Sequence, residues 1–588
     1  MYQLRWLWKN LKGYHAVYIL AIVLSITCNL LQLAIPVFSQ HIVDLFLTAD
    51  LNVNLANLQT KRGLLIALIA GMIGATIFRA LLSYSAHMTY EYTSQKMIYS
   101  IRTHMFRKVL YQDMSFYDKY RTGDIMTRLT GDLEDIRHMA SNIVRMVVES
   151  ITMIIIGMVY FLYLDPITAF CLILLAPVIF LVTRSFRKKI RPMHRELRET
   201  RAALNTAAQE NISGNKVVKA FAREDYEIER FDVKNKAFRQ KNIETNLVHV
   251  RYVPYIDTCA NMLPVILLIV GGISLINGRI TMGEYVAFNG MTWTISNPMK
   301  KLADIINQYQ RFQASSKKVL EIYDAKAEIC DKENAIDHPE TLEGNIEFDN
   351  VSFSYGNVEV LKNISFSIKK GETVAIMGET GSGKTTLVNM LPRFYDPTEG
   401  RVLIDGIDVR DLKIRQLRKN IGMAMQDVLL FSDTIDGNIA YGDSDMSEED
   451  VHSYASRAAA ADFIEKMQDG YSTIIGERGV GISGGQKQRI SLARALAIKP
   501  SILILDDTTS AVDLETESYI QRNLANLDFD CTKIIIAQRI SSTKDADKII
   551  ILEDGKIAEM GTHHELLKNK GYYYQVYMLQ HGGEESHG

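Results

Sequence analysis

Before residue 310 the chain holds six long stretches almost free of charge, and they limit what it can fold into more than any other feature. Residues 16–43 contain no Asp, Glu, Lys or Arg. Residues 63–78 are uncharged up to Arg79, and residues 150–164 and 166–183 are separated by Asp165 alone. Residues 258–278 and 285–299 complete the set. Backbone polar groups inside a bilayer must be satisfied within the segment, so predominantly apolar runs of about 20 residues read as membrane-spanning helices. The first run is too long for a secretory signal and no small-residue cleavage site follows it, so it reads as a retained span. The whole-chain mean hydropathy of −0.01 conceals this, because the second half is soluble in character.

Loop charges orient the spans. Arg5, Lys9 and Lys12 precede the first run, and Lys96, Arg102, Arg107 and Lys108 follow the second. Arg184, Arg187, Lys188, Lys189 and Arg191 follow the fourth, and Lys300 and Lys301 follow the sixth. The turn between the third and fourth has only Asp165. Both ends of this half therefore face the cytoplasm. The two long connections, residues 84–141 and 184–252, are charged and poor in Pro and Gly, as helices continuing beyond the bilayer would be. Breaks near Ser115, Phe116, Tyr117 and Asp118, and near Asn211, Ile212, Ser213 and Gly214, mark the tips of two helical hairpins. Asn29, Gln32, Arg79, Arg145, Glu149, Asp257, Asn261 and Asn289 are polar groups in or near spans, which usually pair or face a cavity. Arg145 and Glu149 are four apart and can satisfy each other. Pro36, Pro177, Pro264 and Pro298 are expected to kink helices.

From about residue 344 the pattern changes to short β-rich runs. Residues 373–377 form an apolar strand that runs into Gly378, Glu379, Thr380, Gly381, Ser382, Gly383, Lys384, Thr385 and Thr386. This is GxxxxGK[ST] with a strand before it and a helical segment after it. The glycines let backbone N–H groups converge on phosphate oxygens, Lys384 supplies charge for the β/γ-phosphates, and Thr385 offers a hydroxyl to Mg²⁺. A second apolar strand, residues 502–505, ends in Asp506 and Asp507, and Asp506 is the expected Mg²⁺ partner. Ile482, Ser483, Gly484, Gly485 and Gln486 open a helix running to Ala497, a second anion-binding helix start. One P-loop already covers a triphosphate, so a second such start suggests a nucleotide shared between two subunits.

The order of these elements resembles the ATP-binding cassette, and nearly the whole chain resembles an ABC exporter half-transporter, in particular the degenerate-site subunit of heterodimeric bacterial multidrug exporters. The resemblance implies an α-helical transmembrane domain of six spans with long cytoplasmic extensions, fused to an α/β P-loop nucleotide-binding domain. It implies domains at 1–325 and 344–580, a linker at 326–343, a flexible tail at 581–588, and coupling helices near 113–121 and 208–216. Tyr355 looks like the adenine-stacking aromatic and Gln426 like the Q-loop residue that contacts Mg²⁺. Gly476, Glu477, Arg478 and Gly479 resemble the exporter loop before the signature. Residues 482–486 resemble the signature, with Ile for the usual Leu. Ser510, Ala511, Val512 and Asp513 resemble the D-loop, with Val for the usual Leu.

Two departures from that pattern matter. The family's general base is a Glu after the Walker B Asp, and this chain has Asp507; its switch residue is a His, and this chain has Gln538. Asp is one methylene shorter, and a general base must come within about 2.6–3.2 Å of its proton, directly or through water. Gln cannot become a cation. The expectation is a site that binds ATP and hydrolyses it poorly, paired through an intact signature with a non-identical partner chain. A homodimer with slow sites, an ATP-gated channel and an importer on the same fold are the alternatives. The implied setting is the bacterial cytoplasmic membrane, with N-terminus and nucleotide-binding domain in the cytoplasm and a hydrophobic or amphipathic cargo (drug, peptide or lipid).

Other signals exclude more than they add. The 66 Lys+Arg against 68 Asp+Glu leave −2, which argues against nucleic acid as a partner. The five Cys are far apart with no CxxC, so neither a disulfide framework nor a zinc site is indicated. His563, His564 and Glu565 are not HExxH, and Tyr572, Tyr573, Tyr574 and Tyr577 read as a packed terminal helix. The first run starts too early for a preceding protease domain.

Overall fold

The computed structural model describes residues 2–47, 55–337, 341–476, 481–508 and 512–581. The expected loop residues Glu477, Arg478 and Gly479, the D-loop residues Ser510 and Ala511, and the tail 582–588 lie outside them. The chain divides into two compact units, one of residues 1–109 with 123–325, the other of residues 110–122 with 326–588.

The first unit is helical throughout its described residues. His15–Leu45, Arg62–Leu110 and Thr122–Leu164 are long and apolar enough to cross a membrane, and Pro264–Ile276 is a shorter apolar helix. Six apolar runs in the sequence thus yield three helices that meet both requirements among the described residues. The run 166–183 divides at Leu174 between Pro166–Ile173 and Leu175–Ser213, and the run 285–299 divides at Thr292 between Met282–Met291 and Trp293–Tyr323. Pro36 and Pro177 lie in the first turns of Ala34–Leu47 and Leu175–Ser213, where a missing N–H costs little, while Pro192, Pro254, Pro264 and Pro298 are interior. The second hairpin tip breaks at Gly214, after which Asn215–Ala220 forms a short helix, so most of the window 208–216 belongs to the preceding long helix.

Some of the polar groups in this unit pair within the helical unit, while the buried Ser25 hydroxyl and Arg79 Nε have no hydrogen-bond partner among the described residues. Arg145 Nη1 donates to Glu149 Oε1 at 2.8 Å, and Asn29 Nδ2 reaches the Glu149 carbonyl at 3.3 Å. Asp165 is buried and accepts from the Thr168 hydroxyl at 2.6 Å and the Ser274 hydroxyl at 2.8 Å, which fastens the turn after Val144–Leu164 to the helix Gly272–Ile276. Phe161 stacks on Phe288 at 5.1 Å within a cluster that includes Leu267 and Met291. The side chain of Asp257 is outside the described residues.

The second unit contains two sheets. β1 (Ile346–Tyr355), β2 (Val358–Ile368), β4 (Glu399–Ile404) and β5 (Ile407–Asp408) form an antiparallel sheet ordered β2-β1-β4-β5. β3 (Thr373–Gly378), β6 (Ile421–Ala424), β7 (Ile502–Asp506), β8 (Thr532–Ile536), β9 (Lys548–Glu553) and β10 (Lys556–Gly561) form the other, ordered β10-β9-β3-β8-β7-β6. In it β9, β3, β8, β7 and β6 run parallel, and only β10 is antiparallel. Every residue of β7 is buried, as a parallel strand covered on both faces requires. The terminal helices His563–Asn569 and Tyr572–His581 pack Leu566 and Tyr573 against Met377, Ile540 and Ile551, with Tyr572 and Tyr577 partly buried at the edge of this core.

A second core gathers Ile435, Ile439, Tyr454, Ile490, Leu496 and Leu503 around the helix Gly484–Ala497. Arg494 on that helix ties it to the segment after β6. Its guanidinium donates to the carbonyls of Asn438 at 2.7 Å and Leu429 at 2.9 Å and to Asn438 Oδ1 at 2.6 Å. Arg494→Met keeps length but leaves these acceptors without their donor. It is expected to destabilise this unit by about 2–4 kcal/mol in denaturant unfolding and to speed proteolysis within residues 425–432.

Candidate nucleotide site

The site lies at the carboxyl ends of the parallel strands, where open α/β sheets bind ligands. β3 delivers the loop 378–383, β7 delivers Asp506 and Asp507, and β8 delivers Gln538 two residues beyond its end. Register sets these side by side: Asp506 lies opposite Ile536, and the Asp507 N–H donates to the Ile536 carbonyl at 3.0 Å.

The loop has the shape of an anion cradle. Gly378, Gly381 and Gly383 have φ of 146°, 88° and 101°. A Cβ on Gly378 would lie 2.1 Å from the Leu552 carbonyl oxygen, so no other residue fits there. Lys384 begins the next helix, Lys384–Val388, one turn earlier than the apolar residues after it suggest. Its Nζ donates to the carbonyls of Gly378 at 3.0 Å and Glu379 at 2.7 Å, which holds the cation inside the loop. Burial pulls the Lys384 ammonium below the ordinary lysine range, and the Asp506 and Asp507 carboxylates oppose that shift. The Thr385 hydroxyl donates to Asp506 Oδ2 at 2.9 Å. Burial raises the Asp506 carboxyl above the ordinary aspartate range; the Thr385 hydroxyl works against this, and Asp507 adds to it.

Asp507 holds φ 50°, a left-handed conformation that Asp and Asn tolerate better than longer side chains. Its carbonyl accepts from Gln488 Nε2 at 3.3 Å, on the helix that Ser483 opens. Ser483 caps that helix in a capping box, with its hydroxyl accepting from the Gln486 N–H and its own N–H donating to Gln486 Oε1 at 2.9 Å. Ile482 packs at the edge of the core below it. Gly484 and Gly485 form the first turn, so the start carries no acidic side chain. Asp513 caps Leu514–Ala525 through the Thr516 N–H at 2.9 Å, and that bond holds its carboxyl below the usual range. Gln426 is exposed two residues past β6, whose Ala424 lies opposite Leu505.

Tyr355 ends β1, is 37% exposed, and has its hydroxyl 3.5 Å from Thr386 Oγ1. Sequence reasoning missed its surroundings. The ring of Tyr395 meets it edge-on at 5.2 Å, and the Tyr395 hydroxyl donates to Asp118 Oδ2 at 2.9 Å on the short helix Met114–Lys119. A cavity of about 600 Å³ beside Tyr355 is lined by Asp118, Lys119, Phe353, Tyr355, Gly356 and Tyr395. Asp113 caps the same helix and accepts from the Glu328 N–H at 2.6 Å. Burial alone would raise the Asp113 carboxyl, but Ser115 and the N–H groups of Glu328, Phe116 and Ile329 hold it below the usual range. Nothing in the local sequence pairs 118 with 395, so only the fold could reveal the contact.

Fold and site together define a membrane transporter with a nucleotide-binding cassette. Residues 18–299 match the ABC transporter transmembrane region and residues 361–510 the ABC transporter family. The chain is 39% identical over 518 residues to the uncharacterized ABC transporter ATP-binding protein YknU of Bacillus subtilis, covering 87% of this chain and 88% of that one. It is 35% identical to the putative multidrug export ATP-binding/permease protein YgaD of the same organism, across 97% and 98% of the two chains. It is 36% identical to the ATP-dependent lipid A-core flippase of Syntrophus aciditrophicus, across 88% and 84%. A solved bacterial Atm1-family ABC exporter with ATP bound superposes with a TM-score of 0.81 at 26% identity, covering 97% of this chain and 99% of that one. The protein belongs to the ABC exporters, as a membrane half-transporter that joins a transmembrane region to an ATP-binding domain.

Two substitutions test the cradle. Gly378→Ala is expected to abolish ATP binding, read by loss of the ATP-induced thermal shift. Asp506→Asn separates stability from binding. A carboxyl raised above its unfolded value costs nothing below that value, and its cost is fully present once pH exceeds the folded value. At pH 7 Asp506→Asn therefore raises the Tm of the nucleotide-free domain while removing most of the shift that ATP induces.

Proposed function

We propose that this chain is one half of a heterodimeric exporter of hydrophobic or amphipathic molecules, and that it carries the slow ATP site of the pair. The observation that carries this reading is the contrast between two ends of the cassette. At the ends of β7 and β8 stand Asp507 and Gln538, and at the start of Gly484–Ala497 stands a fully capped Ser483. The helix start is suited to an anion, while the acid–base pair is short by one methylene and one titratable ring.

In this reading the loop 378–383, with Lys384, Thr385 and Thr386, grips the ATP phosphates and Tyr355 stacks on the adenine. The Thr385 hydroxyl and Asp506 carboxylate are an oxygen donor pair suited to Mg²⁺, with Gln426 adding an amide oxygen directly or through water. Mg²⁺ would supply charge neutralisation on the β- and γ-phosphates. The Asp507 carboxylate, one methylene shorter than that of a Glu, would not reach the attacking water, and Gln538 would hold the γ-phosphate by amide hydrogen bonds only. Loss of one positioned acid–base group costs about 10²–10⁴ in rate. Ile482, Ser483, Gly484, Gly485 and Gln486, with Asp513, would face the ATP held by the partner chain, where hydrolysis runs.

ATP at both sites closes the cassettes. The tips near 113–121 and 208–216 pass that motion to the spans; the second exposes Ile212, and Val217 and Phe221 are exposed just beyond it. Hydrolysis at the partner's site resets the cycle. A ligand moves such an equilibrium only by its differential affinity for the two states, and a slow site keeps its ATP through several turns. The multidrug and lipid A-core names of the relatives support an apolar or amphipathic cargo.

Purified alone, the chain is expected to bind Mg²⁺-ATP and turn over slowly. Asp507→Glu with Gln538→His is expected to raise kcat by about 10²-fold or more, with KM for ATP little changed. Brisk Mg²⁺-dependent turnover by the unaltered chain alone would overturn the proposal.

A further inference from the structure

The switch position is held by the carboxy-terminal helix. Gln580, in the last turn of Tyr572–His581, uses both atoms of its side-chain amide on the backbone around Gln538. Its Nε2 donates to the Gln538 carbonyl at 2.9 Å, and its Oε1 accepts from the Ile540 N–H at 2.9 Å. This is a two-point clasp of the kind a neighbouring strand would make, supplied here by one side chain. The helix that carries it is fixed: Tyr573 is fully buried, and its hydroxyl lies 2.7 Å from His563 Nδ1. Ile540 is itself part of that apolar cluster.

The opposite flank of the loop is held by a second helix. Glu517, 3% exposed on Leu514–Ala525, accepts from Arg539 Nη1 at 3.3 Å and from the Ser541 hydroxyl at 3.3 Å, and also bonds Ser542. Residues 538–542 thus hang between a carboxylate that takes the side chains and an amide that takes the backbone. The Gln538 side chain is exposed and free of this bracing. The two bonds of Gln580 thus fix the backbone on either side of Arg539, just past the end of the strand whose Ile536 carbonyl accepts from the Asp507 N–H.

We infer that Gln580 is a positioning residue of the ATP site, so that the carboxy-terminal helix sets how firmly this chain retains ATP. The inference rests on the proposed role of Gln538 as the contact to the γ-phosphate. Without the clasp the segment 538–540 loses two of its fixed points, and ATP is released sooner. Two hydrogen bonds of ordinary net worth correspond to about a five- to thirty-fold effect on such an equilibrium.

The test uses the full chain with whatever partner it assembles with, in lipid nanodiscs. Gln580→Leu removes both bonds, and Gln580→Glu keeps only the acceptor for the Ile540 N–H. Gln538→Ala serves as the reference. Two readouts are taken with Mg²⁺ present: deuterium uptake of a peptide spanning 538–545, and the release rate of 8-azido-ATP, photo-crosslinked to this chain and resolved from the partner by gel. Expected are faster uptake and five-fold or faster release for Gln580→Leu, an intermediate effect for Gln580→Glu, and at least as large an effect on release for Gln538→Ala. Faster uptake with unchanged release would make the clasp merely structural and overturn the inference, as would no change in either readout. Unchanged release in Gln538→Ala would remove its basis without bearing on the slow-hydrolysis reading, which depends on kcat.

Discussion

The parallel pairing of β3, β8 and β7 is the constraint on which the nucleotide site depends. Three strands in one direction must end together, and each ends in a different chemical group: the glycine loop, the switch loop, and the pair Asp506 and Asp507. The Thr385–Asp506 hydrogen bond then closes the loop against β7 and brings a hydroxyl and a carboxylate together. Burial of β7 on both faces makes this rigid, and it also makes the carboxylate costly. Burial holds the Asp506 carboxyl above the ordinary aspartate range against the pull of Thr385 and Lys384, as is common at binding sites.

Around this fixed edge lie contacts that move with the helices carrying them. Arg494 holds the segment after β6 to the helix that Ser483 opens. Tyr395 links the ring beside the P-loop to Asp118 on the short helix Met114–Lys119. Gln580 and Glu517 brace the switch loop from two sides. Each is a polar side chain bridging two elements, so small shifts of a helix become shifts of a reacting group. The strand ends gather the groups of the site, and these bridges tie it to the surrounding helices.

The P-loop was legible in the sequence because all its parts are contiguous: an apolar strand, three glycines, a lysine and a helix. Asp506 was legible for the same reason, as an acid at the end of an all-apolar run. The capping box of Ser483 and Gln486 could be read from a three-residue spacing. The bridges could not be. Residues 118 and 395, or 538 and 580, are brought together by the topology alone, and an exposed Gln near a chain end carries no local signal. In the membrane half the apolar runs were plain, but the breaks at Leu174 and Thr292 were not: Pro177 reads as a kink and lies instead in the first turn of Leu175–Ser213, and Thr292 has no adjacent proline or glycine pair. The left-handed backbone at Asp507 was equally invisible, although it bears on why an aspartate is comfortable there.

The account's central claim is that this cassette is incomplete by itself: it grips ATP well and depends on a dissimilar mate for fast cleavage. Native mass spectrometry of the transporter extracted with the chain from its own membrane addresses this most directly. The account predicts a complex of one copy of this chain with one copy of a different half-transporter. A complex of two copies of this chain and no other protein would contradict it.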